Sequence, residues 1–101
     1  MPDQYEVIVK VISQEGRCGA GHKVGDEWIL EGKSPGGMCM NALFGLYPHA
    51  RALMLGGQFP WGPDPNCIRH ACPDSRNPVV FEIKRGKKLP PPPPRPKPDQ
   101  P

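Results

Sequence analysis

From residue 5 to residue 13 the chain reads Tyr-Glu-Val-Ile-Val-Lys-Val-Ile-Ser, with Tyr5, Val7, Val9 and Val11 at every second position. That period of two, carried by β-branched residues, predicts a strand with one buried face. Gln14-Glu15-Gly16 turns the chain, and Trp28-Ile29-Leu30 predicts a second, shorter strand closed by Glu31-Gly32-Lys33. From Met38 the period lengthens. Cys39, Leu43, Leu46, Tyr47, Ala50 and Met54 recur at steps of three and four, which predicts one helical stripe. Pro48 lacks an N–H and crowds the preceding turn, so the pattern predicts either one kinked helix or two short helices meeting near Tyr47. Gly56-Gly57 ends the helix. Residues 58–74 read as turn-rich, and Val79-Val80-Phe81-Glu82-Ile83 lies within a last predicted strand over 78–84. The expected fold is a small single α+β domain. Its few-stranded antiparallel sheet pairs the N- and C-terminal strands.

With 101 residues, 37% of them hydrophobic, the core must be small. Chains of this size often draw further stability from a metal or a partner. The expected division is a compact domain over residues 1–86 and a proline-rich basic tail over 87–101. Eight of the last thirteen residues are proline, a composition that favours polyproline II and cannot build a core. Charge divides close to that boundary, between residues 83 and 84. Of 13 Lys/Arg and 10 Asp/Glu in all, residues 1–83 hold seven and nine, and residues 84–101 hold six and one. The body is therefore mildly acidic and offers no basic face to nucleic acid. Lys84, Arg85, Lys87, Lys88, Arg95 and Lys97 are expected to rest on an acidic partner or RNA only weakly and with salt dependence. Residues 90–101 are the expected contact for a protein partner, since Pro90-x-x-Pro93-x-Arg95 suits an aromatic groove, with a stiff basic spacer as the plainer reading. No apolar stretch is long enough to span a bilayer, and the opening residues lack a signal-peptide pattern, so a cytoplasmic location is expected.

Six of the seven Cys and His residues fall in three tight clusters: Cys18-Gly-Ala-Gly-His22, Gly36-Gly-Met-Cys39 and Cys67-Ile-Arg-His70-Ala-Cys72. Thiols and imidazoles are the donors that hold zinc or an iron–sulfur cluster. In a reducing compartment, clustered Cys and His read as ligands rather than as two disulfides. Cys18 and His22 can turn back on one ion across their glycines. Cys39 sits at the predicted helix start, where backbone N–H groups favour a thiolate. Cys72 precedes Pro73, which stiffens its loop. The expected site is Cys18, His22, Cys39 and Cys72 around zinc, with an iron–sulfur cluster as the alternative. Cys67 and His70 are spare or alternative ligands, and Asp74 either orients His22 or caps its own turn. A lone Cys is more often a small buried hydrophobe, which is the better reading of Cys67. His49 reads as a surface or capping residue, and Trp61 as an aromatic lid or pocket wall. No nucleotide fingerprint and no Ser/His/Asp arrangement is present.

The motifs Gly16-Arg-Cys-Gly-Ala-Gly-His-Lys-Val-Gly-Asp26, Pro35-Gly-Gly-Met-Cys39, Leu46-Tyr-Pro48, Gly56-Gly-Gln-Phe-Pro-Trp61 and Ala71-Cys-Pro-Asp74 resemble an uncharacterised family of small bacterial and archaeal proteins. The resemblance covers residues 5–84 and marks the same four positions, Cys18, His22, Cys39 and Cys72. It does not mark Cys67 or His70, and the proline tail departs from it. Three roles fit these readings: a non-catalytic zinc-binding accessory or interaction protein, an iron–sulfur redox protein, and a small metalloenzyme with an open metal position near Trp61.

Overall fold

The computed structural model describes residues 3–60 and 62–91, so Trp61 and residues 92–101, with the roles expected of them, lie outside the described residues. Strands β1 (Tyr5–Gln14), β2 (Glu27–Leu30), β3 (Cys67–Ala71) and β4 (Val79–Lys88) form one sheet in the order β2-β1-β4-β3. Every neighbouring pair is antiparallel. One helix, α1 (Met40–Met54), crosses a single face of this sheet, giving the expected α+β domain. The N- and C-terminal strands pair at its centre, from Tyr5 opposite Lys88 to Gln14 opposite Val79.

The alternation read in β1 is the alternation that is buried. Val7, Val9 and Val11 are fully enclosed with Val79, Phe81 and Ile83 of β4, under Ala42, Leu46, Ala50 and Leu53 of α1. Alanine at positions 42 and 50 leaves room for the helix to approach the sheet closely, while Leu46 and Leu53 fill the space between. Each fully buried Val, Leu, Ile or Phe contributes about 1.5–3 kcal/mol relative to its exposed state. No second helix among the described residues packs on the other sheet face, which carries a cross-strand row of alternating charge, Glu27–Lys10–Glu82–Arg69 in register. Opposite charges at directly facing positions favour that register.

Four expectations change or narrow. The helix is continuous through Pro48, so the two-helix alternative does not occur. Its buried stripe runs through Ala42, Leu46, Ala50 and Leu53, and Tyr47 lies half-exposed outside it. β4 extends to Lys88, and the Leu89 N–H donates to the Gln4 carbonyl, so residues 87 and 88 belong to the sheet rather than to a tail beginning at 87. Gly86 makes this extension possible. A Cβ there would stand 2.5 Å from Cγ of Glu6, whose buried carboxylate accepts the Lys87 N–H at 3.2 Å beside an irregularity in β1. Arg85, counted above among the free tail cations, is half-buried and fully engaged. It donates from Nε to the Leu53 carbonyl at 2.8 Å, from Nη1 to Asn66 Oδ1 at 2.7 Å and from Nη2 to the Gly57 carbonyl. Its guanidinium also lies 5.2 Å from the Tyr5 ring centroid. No described helix is long and apolar enough to cross a membrane.

Candidate metal centre

Three segments meet at one end of α1: the loop between β1 and β2, the helix N-terminus, and the turn between β3 and β4. The first is folded back at Cys18, whose carbonyl accepts the Gly21 N–H at 3.0 Å. The third is organised by Asp74. Its carboxylate accepts the Arg76 N–H at 3.1 Å, the Asn77 N–H at 3.3 Å and the Asn77 side-chain amide at 3.2 Å. Asn77 then joins the two, because its Oδ1 accepts the Arg17 N–H at 2.8 Å. One Asn side chain thus fixes the Cys18 loop against the Cys72 turn. Its role was not legible from composition; the Asn-Pro dipeptide signals only a turn.

Gly16 is the counterpart of Asn77. It adopts φ +67°, and a Cβ on it would overlap Asn77 Oδ1. Gly16→Ala is therefore expected to cost about 1–2 kcal/mol, from a left-handed backbone in a non-glycine residue and from displacement of Asn77. Urea unfolding would read this as a lower midpoint at unchanged slope. A midpoint equal to that of the parent chain would remove Gly16 and Asn77 as the clasp.

His22 is buried, at 6% exposure, with its ring edge-on to Trp28 at a centroid distance of 4.9 Å and near Phe81 at 6.3 Å. Its Nε2 accepts the Cys39 N–H at 2.9 Å. Cys39 is the N-cap of α1 and makes no side-chain cap hydrogen bond, and no acidic residue occupies the first turn. The positive end of the helix therefore has no carboxylate in its own first turn to offset it. Cys72 is held by two bonds to β4. Its N–H donates to the Val79 carbonyl at 2.9 Å, and its Sγ accepts the Val79 N–H at 3.3 Å.

Cys18, His22, Cys39 and Cys72 line one open cleft of about 540 Å³, with Asn77 and Phe81 among its other walls. All four cysteines are free thiols. No Lys or Arg is among the described residues that line the cleft. As the chain stands, no three His, Cys, Asp or Glu side chains among the described residues are close enough together to hold an ion. In kind the donors fit zinc; in geometry the cleft has to close before they meet. His22 adds a second condition. Its Nε2 lone pair is spent on the Cys39 amide, so ligation through Nε2 must replace that hydrogen bond. Ligation through Nδ1 would leave Nε2 protonated and break it equally.

The remaining candidates lie elsewhere. Cys67 and His70 are on β3, a strand in a segment that composition assigned to turns. Ile68 and His70 face Ile83 and Phe81 in register, on the helix side of the sheet, whereas Cys67 pairs with Lys84 on the other side. Burial and then the Glu82 carboxylate push the Cys67 thiol up, away from the ionised form. His70 lies against His49 at a centroid distance of 5.4 Å, and burial and then His49 lower its pKa. His49 is accordingly no surface cap. It is half-buried between α1 and β3, with Phe59 at 5.8 Å. Asp74 borders the cleft, yet both its oxygens serve its own turn, whose side-chain amide and N–H donors hold the carboxyl below its ordinary range. The capping role is the observed one.

The fold and cleft define a small α+β domain that gathers three thiols and one imidazole at the N-terminal end of its only described helix. Compared with models of protein families, with curated proteins and with solved structures, the chain matches none.

Proposed function

We propose that this chain is a small metal-binding module, cytoplasmic and non-catalytic, in which Cys18, Cys39, Cys72 and His22 hold one zinc ion. In this reading it works as an accessory or interaction protein, with residues 90–101 as the contact for a protein partner. One observation carries the proposal: four donors from three separate segments line a single cleft, while Cys67 and His70 do not.

A second reading follows from the Cys39 N–H to His22 Nε2 bond. If that bond persists when metal binds, His22 positions the Cys39 loop and the three thiols hold the ion alone. The fourth position is then open, as in an iron–sulfur redox centre with an external ligand or a small metalloenzyme. Elemental analysis and an absorption spectrum of the chain purified without oxygen separate these. One zinc per chain and no visible colour is the expected result. A brown protein with iron and sulfide would replace zinc by a cluster, and a protein that takes up neither metal would end both readings.

Cys67→Ser is expected to leave metal content unchanged, since Cys67 sits across the sheet from the cleft. Loss of the metal from Cys67→Ser, with retention in Cys72→Ser, would show the ligand assignment to be wrong.

A further inference from the structure

The outer side of α1 is built for something other than water. Phe44 is 85% exposed, Met40 81%, Tyr47 53% and Leu55 42%. Together with Arg51 these residues recur at helical steps, so they form one stripe along the helix side facing away from the sheet. Surface helices ordinarily carry charge on that side. In α1 the sole charged residue is Arg51, and no Asp or Glu occurs anywhere between Gly32 and Pro63. Beside the stripe runs a groove of about 640 Å³ whose walls include Leu30, Pro35, Leu43 and Met54 as well as Arg51 and Pro48.

We propose that this stripe is the interface of a two-fold symmetric homodimer, with α1 packed antiparallel against α1 of a second copy. The order of the stripe supports that occupant. An isologous interface requires each contact to be repeated by symmetry. When the axis passes between Tyr47 and Pro48, Met40 meets Leu55, Phe44 meets Arg51, and Tyr47 meets Pro48, each pair lying at equal steps from the axis. The Phe44–Arg51 pairing places a guanidinium on an aromatic ring, a favourable contact. Arg51 is available for it. The one described hydrogen bond of its side chain runs from Nη1 to Met54 Sδ at 3.2 Å, and the side chain makes no ion pair among the described residues. Because Arg51 and Pro48 also wall the groove, the second copy's Phe44 enters it.

The areas agree. With an aromatic side chain worth roughly 150–250 Å², the four exposed side chains offer on the order of 500 Å² per protomer. Two such faces reach about 1,000 Å², the lower bound for a specific interface, before the groove walls are added. The chain's own residues 92–101 are a poorer occupant. Arg95 and Lys97 would approach Lys33 and Arg51 on the groove wall, like charge against like.

Light scattering during size exclusion tests this on the full chain, loaded with zinc under reducing conditions so that no intermolecular disulfide contributes. The expected mass is twice 11.1 kDa, about 22 kDa. Phe44→Lys faces Arg51 with like charge and is expected to weaken association at least 100-fold while the circular dichroism spectrum stays unchanged. Phe44→Glu faces the same Arg51 with opposite charge, so it is expected to remain a dimer at low salt and dissociate at high salt. A monomeric parent chain across the micromolar range would overturn the proposal, whether the stripe is then covered by residues 92–101 or by another protein. Equal loss in Phe44→Lys and Phe44→Glu, or no loss in either, would overturn the antiparallel register.

Discussion

Replacing Arg85 by alanine is expected to destabilise the domain by about 3–5 kcal/mol, a large fraction of what a domain of this size has. The guanidinium satisfies three acceptors from three places: the Leu53 carbonyl in the last turn of α1, the Gly57 carbonyl beyond it, and the side chain of Asn66 ahead of β3. Cations at a helix C-terminus also offset the negative end of its dipole. Removing the side chain leaves the Gly57 carbonyl without its described donor, leaves the Leu53 carbonyl with the Gly56 N–H alone and Asn66 Oδ1 with the Gln58 side-chain amide alone, and uncovers the Tyr5 ring. Lysine would not rescue it, because a single ammonium cannot present the planar fork that reaches all three. Thermal unfolding followed by circular dichroism should show both variants far below the parent chain. An Arg85→Ala variant within about 0.5 kcal/mol of the parent chain, the range of ordinary surface changes, would mean that Arg85 is a surface cation after all.

Cys39→Ser is the second large effect, and its sign depends on the metal. Serine is a better helix N-cap than cysteine, and it keeps the backbone N–H that His22 accepts. In the chelated protein the variant is therefore expected to be as stable as the parent or about 0.5–1 kcal/mol more stable. In the zinc-loaded protein the order reverses. A ligand at 1,000 times its dissociation constant stabilises the folded state by about 4 kcal/mol, and the variant should lose all of this. Unfolding each protein with and without chelator gives the comparison. If chelator lowers the parent and leaves Cys39→Ser unchanged, the thiol is a ligand. If chelator changes neither, the cleft stabilises nothing by binding metal.

The strands at the centre of the sheet were legible because their alternation coincides with burial on one side. Val7, Val9 and Val11 could be placed from spacing alone. β3 was not legible. Cys-Ile-Arg-His-Ala holds one strongly apolar residue and lies between turn signals, so an edge strand with one exposed face leaves little period to read. The helix stripe was partly misplaced for the opposite reason. α1 is apolar on two sides, and periodicity cannot tell which side meets the sheet, so spacing groups Tyr47 with Leu46 and Ala50 although it is exposed. Arg85 shows a third limit: a formal charge near a basic tail counts as free until the carbonyls around it are located. Clustering and helix-start position single out Cys18, His22, Cys39 and Cys72, and the structure lines one cleft with these four. What spacing could not supply was the Asn77 clasp, which depends on a contact across sixty residues of chain, and the hydrogen bond that occupies His22.

X-ray absorption at the zinc edge of the zinc-loaded chain tests the central claim most directly. Four donors from the cleft predict three sulfurs at about 2.3 Å and one imidazole nitrogen at about 2.0–2.1 Å. Two or fewer sulfurs, or a fourth sulfur in place of the imidazole, would contradict the assignment of Cys18, His22, Cys39 and Cys72 as the complete ligand set.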